Sequence, residues 1–294
     1  MPAFTTFQGV TQEDAVIRSE LIDTYVAHFE YKPNVGLALA WARPGQGNIP
    51  VDYPRFDQIV GGVPSAKAET DQFEERNVPM SNETITPALF GFAIKRSDEA
   101  MAASPGGIEA GALAEGIMTL ADDMGDSVLG SMTSITASEG TVTRTYGMSA
   151  FRADVSAYKL LNLRPGPLGH VAVISNGMAE DLLGSLDTTS ASNALRGGDT
   201  LNLGPEQGFI GNLRGFGIYE TSGLPASTTG RAGGMFPAGF QASPLGLVLN
   251  ELPNVRTTRG DTMELSAATQ HVLRCWYGVG VTNDRKGQQI LGRT

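Results

Sequence analysis

The chain has 294 residues, 41% of them hydrophobic, and a formal net charge of −10. That length supplies one large or two modest domains with a buried core. The acidic balance, with no block of Lys and Arg, argues against sequence-independent DNA binding, which needs clustered cations to displace counterions from phosphates.

The start, Met1-Pro2-Ala3-Phe4-Thr5, lacks the basic and apolar regions of a signal peptide. No apolar run approaches the ~20 residues a membrane helix needs. A soluble chain that stays inside the cell when made, with no membrane partner, is therefore expected. Cys275 is the one cysteine, so no intrachain disulfide can form. Its setting, Val272-Leu273-Arg274-Cys275-Trp276, is strand-like and predicts a buried, inert thiol.

Thr11 opens a helix in the capping pattern Thr-Gln-Glu-Asp. Val16, Ile17, Leu21, Ile22, Tyr25, Val26 and Phe29 then form one apolar stripe at helical period. The helix ends near Tyr31, because Pro33 lacks a donor and pushes Lys32 out of helical geometry. From Val35 to about Met80 the chain reads as extended segments broken by Pro44, Gly45, Gly47, Pro50, Pro54, Gly61, Gly62 and Pro64. A stretch of that length without core-like runs is uncommon inside a compact domain. Tyr53, Phe56, Ile59, Val60 and Phe73 would be odd in a solvated loop, so their partners are expected on another molecule.

A strand is expected over about Glu83 to Arg96, with apolar Ile85, Leu89, Phe90, Phe92 and Ile94. Ser104-Pro105 then offers an N-cap and a first-turn proline. Leu113, Ile117, Leu120, Met124, Val128, Met132 and Ile135 follow at spacings of four and three, a helix of about six turns. Gly111, Gly116, Gly125 and Gly130 weaken it by roughly 1 kcal/mol each relative to alanine, so tertiary packing must hold it, or it bends.

Beyond residue 136 the pattern is mixed. Helices are predicted over Ala153–Leu161 and from Asn176 to about Leu186, with a buried strand His170–Ser175 between them. A polar, Gly-rich loop spans Asp187–Gly208, and Ile210–Thr221 reads as one bent strand. Leu245–Leu249, Thr262–Thr269 and His271–Val281 read as further strands, the last two readable also as one long strand.

Residues for chemistry are few. His28, His170 and His271 form no metal-binding spacing, and no phosphate-binding glycine motif follows a strand. Gly125-Asp126-Ser127 resembles the nucleophile block of GDS-type hydrolases, but Ser127 falls inside a predicted helix and no histidine has Asp three residues before it. No catalytic residue, metal or cofactor is expected, and the enzyme reading is the weakest one.

In order and spacing the elements resemble tailed-bacteriophage major capsid proteins, whose fold was first described in the lambdoid phage HK97. The resemblance is carried by Ile85-Thr86-Pro87-Ala88-Leu89-Phe90-Gly91-Phe92-Ala93-Ile94 leading into the long helix, by Arg152–Leu161, by His170–Leu183, by Leu213–Pro225 and by Leu273–Val281. It implies an α+β, HK97-like capsid fold: an N-terminal arm (1–45), an extended E-loop hairpin (46–80), a peripheral (P) domain with a spine helix (81–145), a mixed α/β axial (A) domain (146–254) and return strands of the P domain (255–294). The implied activity is self-assembly, as hexamers and pentamers, into an icosahedral shell that encloses a genome without sequence-specific binding. Such a particle is a virion capsid assembled in the host cytoplasm.

The inter-subunit contacts implied are Trp41, Arg43, Tyr53, Arg55 and Phe56, with the acidic run Asp71, Glu74 and Glu75. Only about a hundred residues precede the spine-like helix, so a separate scaffolding protein is expected, with a portal and possible decoration protein as further partners. Encapsulins, which build bacterial compartments around cargo enzymes on the same fold, are the alternative.

Overall fold

The computed structural model describes residues 35–56, 80–97, 108–141, 143–188, 200–201, 208–224, 226–227, 230–258 and 268–292. The helix expected over Thr11–Tyr31, the run Asp71, Glu74 and Glu75, most of the Asp187–Gly208 loop and most of the expected strand Thr262–Thr269 lie outside them.

Apolar spacing accounts for the longest helix, α2 (Ile108–Gly130); the short helix that precedes it in the chain, α1, is Val35–Leu39. Leu113, Ile117, Leu120, Met124 and Val128 are all buried, as are Met132, in the 3-10 turn that closes the helix, and Ile135 after it. One of its glycines, and Gly36 of α1, have a packing reason. A Cβ at Gly116 would stand 2.6 Å from Leu273 Cδ2, and a Cβ on Gly36 would stand 2.2 Å from the carbonyl oxygen of Gly125. Helix α1 therefore crosses α2 glycine to glycine, closer than alanine allows. Gly111 and Gly130 face open space.

Helix α2 packs on a four-stranded sheet made from β1 (Trp41–Pro44), β12 (Leu245–Thr258), β13 (Ala268–Val281) and β4 (Ala88–Ser97), in that order. The parallel pair β1–β12 sets Trp41 opposite Gly246, and the other pairs are antiparallel. Leu245, Leu247, Leu273 and Cys275 meet the helix stripe in one core. The expectation that the chain from Val35 onward lacks a core of its own is corrected here for residues 35–56. Helix α1 and β1 are too short to show periodicity, yet Val35, Leu37, Leu39 and Trp41 are buried on the chain's own body.

The single strand expected over Glu83–Arg96 is also corrected. It divides at Thr86-Pro87 into β3 (Met80–Ile85) and β4, because Pro87 has no amide donor to continue a ladder. Strand β3 pairs antiparallel with β2 (Val51–Phe56) in a separate two-stranded ribbon, Val51 opposite Ile85 through Phe56 opposite Met80. Strand β12 runs far beyond the expected Leu249, passing Pro253 by register shifts between Leu249 and Asn254.

The second sheet has the order β5-β14-β11-β6-β9-β8-β7, with β10 beside β11. Its strands are β5 (Ala137–Gly140), β6 (His170–Ser175), β7 (Thr200–Leu201), β8 (Phe209–Leu213), β9 (Phe216–Thr221), β10 (Ala226–Ser227), β11 (Gly230–Pro237) and β14 (Gln288–Gly292). Helices α3 (Met148–Leu160) and α4 (Asn176–Thr188) cover one face. The sequence of β6 is a continuous apolar run because both faces are buried. Val171 and Val173 join the α2 core, while Ala172 and Ile174 join the α3/α4 core. The bent strand expected over Ile210–Thr221 is a hairpin, turning at Arg214 (φ 55°) and Gly215 (φ 85°).

Strand β14 belongs to the second sheet, and β12, most of which precedes residue 255, belongs to the first.

Candidate assembly surface

The root of the β2–β3 ribbon is fastened by an aromatic and cationic cluster. Tyr53 is fully buried, and its ring meets Trp41 edge-on, with centroids 4.8 Å apart. Ile85 and Val248 close this small core. A Cβ at Gly246 would stand 2.6 Å from Ile85 Cδ1, so glycine is what lets the ribbon settle onto β12. The Arg43 guanidinium carbon lies 5.5 Å from the Tyr53 ring centroid, and Arg43 Nη1 donates to the Asp52 carbonyl. The Asp52 carboxylate accepts from Thr84 Oγ1 at 2.7 Å, tying the two ribbon strands. Arg55 pairs with Asp284 at 3.0 Å and with Glu83 at 3.8 Å. Thr136 and Arg55 hold the Asp284 carboxyl below its ordinary range, the Thr136 hydrogen bond foremost and partial burial opposing it.

Four of the residues expected to reach across to a neighbour, Trp41, Arg43, Tyr53 and Arg55, are thus brought together at the foot of the ribbon within one chain. Tyr53 has no surface left to offer another molecule. Phe56 is at the far end of β2, and Asp71, Glu74 and Glu75 fall in the segment between the ribbon strands, outside the described residues.

The surface that sequence reasoning missed is β4. It is the last strand of its sheet, paired with β13 alone among the described strands. Leu89 is 53% exposed, Phe90 44% and Phe92 38%. Phe90 stacks on Tyr277 with centroids 4.4 Å apart, which fixes its ring without covering its outer face. A long edge strand with several large apolar side chains in water is a template for association. The alternation of Phe90, Phe92 and Ile94 signals one packed face, but nothing in it says that the strand is the sheet's last.

Groups with chemical potential are engaged elsewhere. Ser127, in α2, donates to the Asp123 carbonyl at 2.7 Å and lies 3.3 Å from the Tyr277 hydroxyl. His170 bonds Tyr158 at 2.9 Å, and His271 is buried. Burial, with Asp123 and Glu251 adding to it, pushes the Cys275 thiol up to about 11. Among the described residues no three His, Cys, Asp or Glu gather as a metal would require, and no helix is long and apolar enough to cross a membrane.

A long helix on a four-stranded sheet, a projecting ribbon and a second mixed sheet with its own helices define an α+β fold of the HK97-like capsid class. The chain is similar to the capsid structure of the cyanophage P-SCSP1u, at 13% identity and a TM-score of 0.66, over 89% of this chain and 88% of that one. It is likewise similar to the head structure of the Helicobacter pylori bacteriophage KHP40, at 12% identity and a TM-score of 0.64, over 89% and 90% of the two chains. A virus-like particle from Pyrococcus furiosus is matched at 12% identity and a TM-score of 0.59, over 95% of this chain and all of that one. No family model and no curated protein matches the sequence.

Proposed function

We propose that the chain is the major capsid protein of a tailed bacteriophage, a structural subunit without catalytic activity that assembles with its own copies into an icosahedral shell around the genome. The observation that carries this reading is β4, paired on one side only among the described strands, with Leu89, Phe90 and Phe92 each more than a third exposed along one sheet edge. Covering apolar surface contributes ~25 cal/mol per Å². Repeated around a closed shell, such contacts hold because release requires breaking many together.

The ribbon complements that edge. Its foot is locked by Trp41, Tyr53 and Arg55, so the segment between its strands would be presented to an adjacent copy from a firm base. Phe56, Asp71, Glu74 and Glu75 are the contacts proposed there, with Arg43 at the rim. A separate scaffolding protein, a portal and a decoration protein are the proposed partners, and assembly would take place in the host cytoplasm. The net charge of −10 suits a container that must not bind its DNA tightly.

A nanocompartment shell of the encapsulin type is the second reading, favoured by the match to the whole length of the Pyrococcus furiosus particle subunit. Electron microscopy of the purified chain tests both. Closed shells or capsomer rings are expected from the natural sequence, and Phe90→Glu with Phe92→Glu should abolish them. A monodisperse monomer at assembly concentrations would overturn both readings. Shells that fill with a co-expressed enzyme cargo, and never with DNA in infected cells, would favour the second.

A further inference from the structure

A cleft of about 410 Å³ opens where the end of α3 meets the β8–β9 turn, lined by Tyr158, Lys159, Asn162, His170, Arg214 and Phe216 among others. We propose that this cleft receives a carboxylate side chain from a second copy of the chain. The proposal rests on the shell reading above.

The lining is one-sided in its chemistry. Lys159 and Arg214 bring fixed positive charge, Asn162 brings an amide, and no Asp or Glu is among the described residues that line it. His170 also lines the cleft, its Nδ1 2.9 Å from the Tyr158 hydroxyl, and burial first, with Lys159 second, holds the imidazole pKa below its ordinary value. The floor is apolar, since Phe216 and Tyr158 stack edge-on at 5.2 Å and both are nearly fully buried. A short apolar stem with a negative head matches that arrangement.

The backbone points the same way. Asn162 and Arg214 are the non-glycine residues with positive φ among those described, and both line the cleft. Asn162 follows α3 where a left-handed residue commonly ends a helix. Arg214 occupies the first position of a two-residue hairpin turn, where Asn, Asp or Gly fits with less strain.

The second copy is favoured over nucleic acid on charge and shape. Copies carrying 31 acidic against 21 basic residues bring carboxylates wherever they meet. A phosphate backbone would instead need a stripe of cations along a groove, and this is a single bounded cleft.

The test uses shells assembled from an equal mixture of unlabelled and ¹⁵N-labelled chains, treated with a zero-length carbodiimide and digested for mass spectrometry. Lys159 should be found coupled to an Asp or Glu, with mixed-isotope pairs as abundant as the pure ones. Lys159→Glu should lower shell yield at least tenfold while the thermal melting curve of the subunit stays in place, and Lys159→Arg should assemble as the natural chain does. Wild-type shells in which Lys159 couples only within its own chain, or a charge-reversed variant that assembles normally, would overturn the cleft and leave the shell intact. Protection of Lys159 in DNA-filled particles alone would overturn it in favour of phosphate. Failure of the wild-type chain to form shells would remove the shell reading itself.

Discussion

The hydroxyl of Tyr53 donates to the carbonyl oxygen of Leu247 at 2.7 Å and lies 3.2 Å from that of Trp41, bridging β2 to β12 and β1 from a fully buried position. Burial raises the phenol well above its ordinary range, with Arg43 and the Leu247 hydrogen bond opposing, so it remains a donor throughout the working pH range. Within the cluster that fastens the ribbon to the first sheet, this side chain supplies both a packed ring and a hydrogen bond.

Tyr53→Phe keeps the ring and loses the donor, which should cost about 1 kcal/mol of unfolding free energy. Tyr53→Ala also empties the core shared with Trp41, Ile85 and Val248, and should cost about 3–5 kcal/mol. Urea denaturation of the unassembled subunit measures both. Equal losses for the two variants would mean that the ring contributes nothing at this joint.

Three glycines of α2 and Gly36 of α1 sort into two pairs by what surrounds them. Gly111 and Gly130 have nothing within 4 Å of an added Cβ, and Gly130 has helical dihedrals. Alanine at either should stabilise the subunit by about 0.5–1 kcal/mol. At Gly116 the new methyl would press the end of a Leu273 side chain, and on Gly36 it would strike the backbone of Gly125. Overpacking costs about 1–3 kcal/mol, and Gly36→Ala should be the worse of the two because backbone cannot rotate aside. Melting temperatures of the four variants check the order. If the Gly36 variant melts like wild type, the crossing of α1 over α2 is wrong.

Legibility in the sequence followed how local each cause was. Helix α2 and strand β6 could be read because their apolar spacing, one face for the helix and both faces for the strand, is written in consecutive residues. Strand β11 could not: Gly230-Arg231-Ala232-Gly233-Gly234 has no alternation, and Gly233 is there because a Cβ would come within 2.3 Å of the Val173 carbonyl. Strands β5 and β14 pair parallel with each other, one near the middle of the chain and one near its end, a relation no local window contains. The assembly surface divides the same way. Tyr53 was visible as a residue out of place in a loop, and Trp41, Arg43 and Arg55 as contacts that the resemblance implied, but which molecule they pack on depends on β12. The exposure of Leu89, Phe90 and Phe92 depends on the strand order β12-β13-β4.

Cys275 gives a simple chemical check on the first core. Its side chain is fully buried between α2 and β13, and the thiolate that would react is suppressed by burial and by the nearby carboxylates of Asp123 and Glu251. The native subunit should not react with an aromatic disulfide reagent at mildly alkaline pH, and should release one equivalent of thiol once unfolded. Rapid titration in the native state would show that this core is open to solvent.

Two carboxylates should leave opposite marks on the acid stability of the subunit. Asp154 is fully buried, with Arg144 Nη2 2.5 Å from it, and burial outweighs that partner to raise its pKa above 3.8. Between 3.8 and the raised value the folded chain binds more protons than the unfolded one, so this group's stabilisation is complete below 3.8 and declines as pH rises through the window above it. Asp284 is shifted down, chiefly by the Thr136 hydrogen bond at 2.7 Å. There the unfolded chain binds more protons in the window below 3.8, so the contribution is present above that pH and disappears as pH falls through the folded value. Urea midpoints from about pH 2.5 to 6, for wild type, Asp154→Asn and Asp284→Asn, separate the two. The wild-type advantage over Asp154→Asn should shrink as pH rises, and the advantage over Asp284→Asn should grow. Difference curves of the same sign would mean that the Arg144–Asp154 attraction exceeds the cost of burying the carboxylate.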